Sequence, residues 1–501
     1  LALIYPFNFK KMKIMNSKYS SLFSFILCCS FILMFSSCNE DLLDTKPNTS
    51  IDEKDAFSTP SRILSQVNNL YGRLQNESLY GGRLIVFNEQ RSDEFGQNDG
   101  NAATGSAVWN QNVASTNEYI NNVWSAAYTA INSSNIVIAN LTNTKVISDS
   151  LAKHYIAEAK FVRALSYLVL LQTYAKPYNM DKAALGVPLR LTAITSEGYN
   201  DLARSSVEEV YTQIIKDLDE AEQALPVSYS SAALNSSRAH RATAIALKTR
   251  VYLNQANYNM VIVEAKKIVS TSAPYQYSEG NVNHRLEANF ANLYTGSYTG
   301  AESIFSIPFA NSSTETPFSQ SALAFNYVTQ PILFLAKGGI VANPVLQNPA
   351  DSRATMIGIN AAKQSILKKF NITTAPFRDY VPVIRYAEVL LNYAEAAAET
   401  GELNTAVALL HAVRQRSHAG YQFADAEINT KQAFIQTIVT ERRIEFLGEG
   451  LRLQDLQRRV EKLPAKTGSI GTAPEVFPDA KNYIWPIPSG ELSTNKLCLP
   501  N

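Results

Sequence analysis

From His154 to Tyr174, in HYIAEAKFVRALSYLVLLQTY, apolar residues recur at helical spacing and no glycine or proline interrupts the run before Pro177. This pattern predicts a buried helix. RSSVEEVYTQIIKDLDEAEQALP predicts a second one, with Ser206 placed to cap it, Glu209 three residues on to complete a capping box, and Pro226 to end it. Two longer stretches then repeat one device. RATAIALKTRVYLNQANYNMVIVEAKKIV and IRYAEVLLNYAEAAAETGELNTAVALLHAVRQR each join a helix rich in small residues to a second amphipathic helix through a tight turn. Asn257 to Val261 in the first correspond to Glu402 to Ala406 in the second, 145 residues later. No fixed 34-residue period runs through the chain, so the pattern predicts a mostly α fold. Its tetratricopeptide-like helix pairs form a partial solenoid with long irregular insertions.

The N-terminus has a different pattern. Lys10, Lys11, Lys13 and Lys18 precede the apolar run Leu22 to Phe35, and Ser36-Ser37 place small residues before Cys38. That order is expected of a lipoprotein signal peptide over residues 1–37, leaving Cys38 as the acylated first residue. The apolar run of 14 residues is too short for a permanent span, which takes about 20. Two or more acyl chains on Cys38 would anchor the body stably, whereas a single chain binds only marginally. The chain begins with Leu1, so Met12 or Met15 is the expected start, and residues before it should carry no fold.

Processing changes the charge and the cysteine count. Residues 1–37 hold four lysines and no acid, so the remaining 464 residues carry 41 Lys+Arg against 44 Asp+Glu. Without a basic excess to neutralise phosphates, nucleic acid is not expected as a partner. Cys28 and Cys29 leave with the signal and Cys38 takes lipid, so Cys498 remains alone and no internal disulfide can form. The fold must then rest on its core, which 46% hydrophobic residues make feasible.

Several pieces then occur together in a fixed order: CNEDLLDTKP after the signal, VWSAAYTAINSSN, AEAKFVRALSYL, ALGVPL, SSVEEVYTQIIKDLDEAEQALP, IRYAEVLLNYAEAAAETGEL, VRQRS, TERRIEFLGEGLRLQDLQRR and YIWPIPSGEL. In order and spacing the set resembles the SusD/RagB family of outer-membrane nutrient-binding lipoproteins, over essentially all of the chain after the signal. The resemblance implies an N-terminal part over 38–240 and a C-terminal part over 241–501, merged into one body. It also implies a lipid-anchored protein on the outer face of the outer membrane, acting as the lid of a SusC-like TonB-dependent barrel. A glycan would be held in a cleft by aromatic faces and hydrogen bonds and handed on without chemistry. Asn39-Glu40-Asp41 resembles the acidic signal behind the lipid of surface-exposed lipoproteins of Bacteroidetes. The family's ligand residues diverge, so none is carried over to this chain.

The residues themselves offer no catalytic or metal site, and no cofactor is expected. Histidines 154, 240, 284, 411 and 418 show no metal-ligand spacing, and neither a GxSxG elbow nor a GxxxxGK loop occurs. Glu445 and Glu449 lie one turn apart on an expected continuous helix from Glu441 to Arg459, where a glycosidase pair would be conceivable. On that helix Arg442 would reach Glu445, and Arg452 would reach Glu449 and Asp455. A nearby cation favours the ionised carboxylate, so the group reads as structural rather than as a general acid. The alanines at 394, 396, 397, 398 and 406 read as close helix packing.

For ligand contact, rings off the helical pattern matter most. Trp124 and Trp485 are expected in the core. Trp109 lies in the Gly/Asn/Ser-rich stretch Gly96 to Thr116, where a flat apolar ring has few structural roles. It comes after Glu89, Arg91, Asp93 and Glu94, polar groups suited to hydroxyls. Tyr294 and Tyr298 in Phe290 to Gly300, and Tyr327 after the serine-rich run near Ser319, are further candidates. A pyranose face presents C–H groups to a ring and its edge presents hydroxyls to polar groups. The candidate ligand residues are therefore Trp109, Arg91, Asp93, Tyr294, Tyr298 and Tyr327. A surface glycosidase and a protein-binding helical-repeat scaffold remain the alternatives. Released reducing sugar would mark the first, and failure to bind any glycan the second.

Overall fold

Capping side chains start several of the long helices, and at Ser206 the cap stands where the sequence pattern puts it. The computed structural model describes residues 53–196, 198–295, 297–310, 317 and 320–501; Cys38, the signal segment and Ser319 lie outside the described residues. The chain divides at Ala56 and Phe57. Before that point a short helix, Glu53–Ala56, is described, and the large body runs from Phe57 to Asn501.

Twelve of the body's described helices position its clefts and core: α1 (Pro60–Leu74), α2 (Arg83–Arg91), α3 (Ser106–Trp109), α4 (Glu118–Leu141), α5 (Asp149–Tyr174), α6 (Val207–Ala224), α7 (Arg241–Asn254), α8 (Tyr258–Ala265), α9 (Tyr386–Thr400), α10 (Leu403–Ser417), α11 (Lys431–Glu445) and α12 (Arg452–Arg458). At the start of α6 the Ser206 hydroxyl accepts from Glu209 N–H while the Glu209 carboxylate accepts from Ser206 N–H. Ser148 caps α5 and Asn117 caps α4. Each such cap contributes about 1 kcal/mol.

From α4 to α10, successive helices pack as neighbours in the stacked-pair manner that the sequence predicts. The two repeated turns solve one problem differently. Gly401 ends α9 in the left-handed region (φ 89), whereas Ala256 takes the corresponding left-handed place between α7 and α8 (φ 52) despite its Cβ. Ala394, Ala396, Ala397, Ala398 and Ala406 are all fully buried, which lets α9 approach its neighbours closely.

Ten short strands are described outside this stack, all paired antiparallel two by two: β1 (Phe95–Gln97), β2 (Gln276–Glu279), β3 (Val282–Arg285), β4 (Ser303–Ile307), β5 (Leu333–Leu335), β6 (Ile357–Ile359), β7 (Ser365–Leu367), β8 (Val381–Arg385), β9 (Lys466–Gly468) and β10 (Gly471–Ala473). Most belong to the long insertion between α8 and α9. Two pairings are far apart in sequence: β4 meets β8, and β1 meets β5 with Gly96 opposite Phe334.

The expected helix from Glu441 to Arg459 is corrected. Gly448 (φ 79) and Gly450 (φ 77) take left-handed conformations and break it between α11 and α12. The acids do find cations, but not the expected ones. Glu445 accepts from Arg416 (2.5 Å), Arg385 (3.1 Å) and Arg353 (3.1 Å). Glu449 accepts from Lys369 (2.7 Å) and Arg385 (2.8 Å), Arg442 pairs with Asp455 (2.9 Å), and Arg452 turns away to Asp93 (2.8 Å). All of these carboxylates and guanidiniums except Asp93, Arg416 and Arg452 belong to buried residues. Glu445 and Glu449 have taken their partners from the segments that fold against them.

Candidate functional site

The widest cleft among those described has a volume of about 740 Å³. It forms where β5, the β6–β7 turn and the segment from Pro464 to Ser469 meet, with Asp93 at its margin. By contrast, the gap bounded by Arg250, Glu388, Arg442, Asp455 and Arg458 has room for only about 40 Å³, and those ion-paired side chains share its walls with apolar ones such as Leu84, Ile85 and Leu253. It is a packing feature. A third hollow of about 420 Å³ beside the end of α1 and one face of α4 is lined by Arg73, Asn76, Glu77, Asn122, Ser125 and Thr129 and has no aromatic ring.

Glycines build the floor of the wide cleft. A Cβ on Gly96 would sit 2.5 Å from Phe334 Cζ, and one on Gly468 would sit 2.6 Å from Gln97 N and 3.0 Å from Trp109 Cζ2. Only glycine lets the Phe334 ring lie against β1 and lets β9 close over it. Ser469 N–H donates to the Gln97 carbonyl at 2.9 Å and completes the contact. On β5, Leu333 and Leu335 are buried while Phe334 between them is only half-buried and lines the cleft.

One wall carries a linked set of amides and a hydroxyl. Asn98 Nδ2 donates to Gln364 Oε1 (3.0 Å), Gln364 Nε2 donates to Asn98 Oδ1 (2.7 Å), and Ser469 Oγ donates to the same Asn98 oxygen (2.6 Å). Such a cluster is held in place before any ligand arrives and has donors and acceptors to exchange with hydroxyls. Lys466, in the floor, is buried, and its ammonium donates to the carbonyls of Gln90 and Ser92. Burial, reinforced by Arg91, pulls it down to about 7. Lys337 and Lys363 stand exposed on the rim.

Of the residues expected to touch ligand, the structure brings only Asp93 to this cleft. It accepts from Arg452 (2.8 and 3.0 Å) and from Arg443 (3.4 Å). Burial disfavours its charge, but the two guanidiniums outweigh that and hold its carboxyl below the usual range. Trp109 is corrected from a surface ring to a core one: it is 0% exposed, and its Nε1 donates to the Phe95 carbonyl at 2.9 Å. It stands behind the floor, with the Lys466 ammonium 5.6 Å from its ring.

Arg91 is also buried. It donates to the Tyr483 carbonyl at 2.8 Å, and burial lowers it to about 10. Tyr294 is buried with its hydroxyl donated to Glu449 (2.8 Å), and Tyr327 is buried with its ring 5.2 Å from that of Phe95. Tyr298 alone of the three tyrosines stays half-buried, 6.2 Å from the Tyr380 ring and away from the cleft. Trp124 and Trp485 are core, as expected.

Sequence reading did not single out Phe334, Lys337, Lys363, Gln364 and Ser469, which line this cleft. A signal was present for most of them. Lys337-Gly338-Gly339, Asn360 to Gln364 and Gly468-Ser469 are short polar turns between apolar runs. Phe334 had none, because ILFLA reads as continuous core.

Glu445 and Glu449 cannot act as a glycosidase pair in this arrangement. Burial opposes their charge, yet Arg416, Arg385 and Arg353 hold Glu445 well below the carboxylate range, and Arg385 and Lys369 hold Glu449 below it. Neither retains the proton a general acid needs. Among the described residues no group of three or more His, Cys, Asp or Glu is placed to hold a metal ion, and no helix is long and apolar enough to cross a membrane.

Comparison with known proteins fits this architecture. Residues 41–253 match the family described as starch-binding and associating with the outer membrane, and residues 345–500 match the SusD family. SusD-like protein P2 of Formosa agariphila is 26% identical, covering 94% of this chain and 97% of its own. The crystal structure of a SusD superfamily protein from Bacteroides fragilis superposes with a TM-score of 0.78 at 32% identity, over 89% of this chain and 100% of that one. A laminarin-binding SusD-like protein has the same fold, with a TM-score of 0.69 at 22% identity over 89% of this chain and 99% of that one. The stacked helix pairs, the match along both ends and the 32% identical relative together establish that this chain belongs to the SusD/RagB family.

Proposed function

We propose that this chain binds an oligosaccharide in the cleft beside Phe334 and delivers it to a SusC-like TonB-dependent barrel, acting as a binding lid and not as an enzyme. The observation that carries this reading is the cleft itself. It is large enough for several sugar rings and is lined by the half-buried Phe334 ring and by Gln364 and Ser469, which Asn98 links through hydrogen bonds. A ring face against C–H groups and fixed amides against hydroxyls are the two elements that sugar recognition requires. The laminarin-binding relative of the same fold supports the ligand class.

Phe334→Ala is expected to weaken binding of array-identified glycans by about 1–3 kcal/mol, tenfold or more, because binding energy concentrates in a few aromatic anchors. Thermal unfolding should move little, since the ring is half-exposed. Titration calorimetry showing unchanged affinity would place the ligand elsewhere.

Anchoring through an acylated Cys38 at the outer face of the outer membrane completes the proposal. Cys38→Ala should abolish palmitate labelling of the intact protein in its host. Retained label would refute that anchor. A TonB-dependent barrel co-eluting with the tagged protein in detergent tests delivery, and its absence would leave a binder without this transporter.

A further inference from the structure

We propose that the cleft is built for an acidic oligosaccharide, one bearing carboxylate or sulfate groups; this deepens the glycan-binding reading and rests on it. Three different segments each bring one lysine to the cleft: Lys337 from the turn after β5, Lys363 from the tip of the β6–β7 turn, and Lys466 from β9. Among the described residues the one carboxylate lining it, Asp93, is already shared by Arg452 and Arg443 and pairs with neither Lys337 nor Lys363. Lys466 is held by carbonyl oxygens rather than by a carboxylate.

Among the described residues neither Lys337 nor Lys363 has a carboxylate within ion-pairing distance. Several other lysines do have one. Lys182, Lys248, Lys266, Lys267, Lys431 and Lys462 are all paired with aspartate or glutamate. Nor does the excess reflect a basic chain, since the residues after the signal carry 41 Lys+Arg against 44 Asp+Glu. Positive charge has been left uncompensated where a half-buried aromatic platform and an amide cluster also meet.

A neutral sugar would engage Phe334 and the Gln364 cluster but leave the rim ammoniums in water. A uronate or sulfate ester on the same chain gives each rim ammonium a counter-charge. Lysine presents a point charge on a flexible stem, which suits either group without fixing its geometry. Because Lys337 and Lys363 are exposed, their contribution must be sensitive to salt, with a screening length of about 10 Å at 0.1 M.

The experiment uses a glycan array carrying matched neutral, uronate-bearing and sulfated oligosaccharides, followed by titration of the tightest binders to the wild type and to Lys337→Gln/Lys363→Gln. Binding at least tenfold tighter for uronate or sulfated chains is expected, lost about tenfold in the double variant and about tenfold on going from roughly 50 to 500 mM NaCl. Which acidic set binds assigns carboxylate or sulfate as the group recognised. Neutral chains binding as tightly as acidic ones, or acidic binding unchanged in the double variant, would overturn the inference while leaving glycan binding standing. If no glycan of any set bound, the glycan-binding reading would fall first and this inference with it. Both lysines are exposed, so the variant's melting temperature should match that of the wild type and confirm that any loss is electrostatic.

Discussion

Glu445→Leu is expected to cost about 3–5 kcal/mol of stability, because it leaves buried guanidiniums without their shared counter-charge. Glu445 is fully buried and accepts from Arg353, Arg385 and Arg416, which come from three separate segments of the C-terminal half. The neighbouring acids Asp351, Glu302, Glu441 and Glu449 already serve the same cations, so none is free to replace it. The stability that Glu445 confers also has a pH signature. Its folded carboxyl lies well below the glutamate range despite burial, so the unfolded chain binds the proton first as pH falls. The contribution is therefore complete above the unfolded value of about 4.5 and is lost progressively below it. Urea unfolding at pH 7 should show the full loss in the variant, and the gap to wild type should narrow under acid. A variant as stable as the wild type would mean that water or a neighbouring acid compensates the arginines.

Trp109→Ala is expected to cost about 3–5 kcal/mol as well, through the cavity that a fully buried indole leaves. Trp109 lies on α3, donates to the Phe95 carbonyl and meets Gly468 from behind the cleft floor. Its loss removes the support of β9, so glycan affinity should fall together with stability. Thermal unfolding and titration on the same sample separate the two cases. Lost binding at unchanged stability would show a ring that faces ligand, as the sequence alone leads one to expect.

The helices were legible because their signals are local. An apolar period, a serine cap, a glutamate at the third position and a terminating proline mark α6 from within its own sequence, and the structure places it at Val207–Ala224. The charged cluster near Glu445 was half legible. Opposite charges in one segment announce ion pairs, but Arg353, Arg385 and Arg416 come from elsewhere in the chain, and Gly448 and Gly450 break the helix on which nearer partners were expected.

The cleft was hardly legible at all. Gly/Asn/Ser-rich composition around Trp109 says that the backbone is irregular, not what will cover the ring, and its cover arrives with β9 and Gly468. Phe334 reads as one apolar residue in an apolar run; only its pairing with Gly96, whose missing Cβ lets the ring lie against β1, sets it where it lines the cleft. Tyr294 shows the converse error. It lies in an irregular stretch, yet its hydroxyl is committed to Glu449 in the interior.

Crystals of this protein soaked with its tightest array-identified oligosaccharide give the most direct test of the central claim. The account predicts sugar density against the Phe334 ring, between the rim lysines Lys337 and Lys363 and within hydrogen-bonding reach of Gln364 and Ser469. Well-ordered sugar bound elsewhere on the surface, with the Phe334 cleft free of it, would contradict the account.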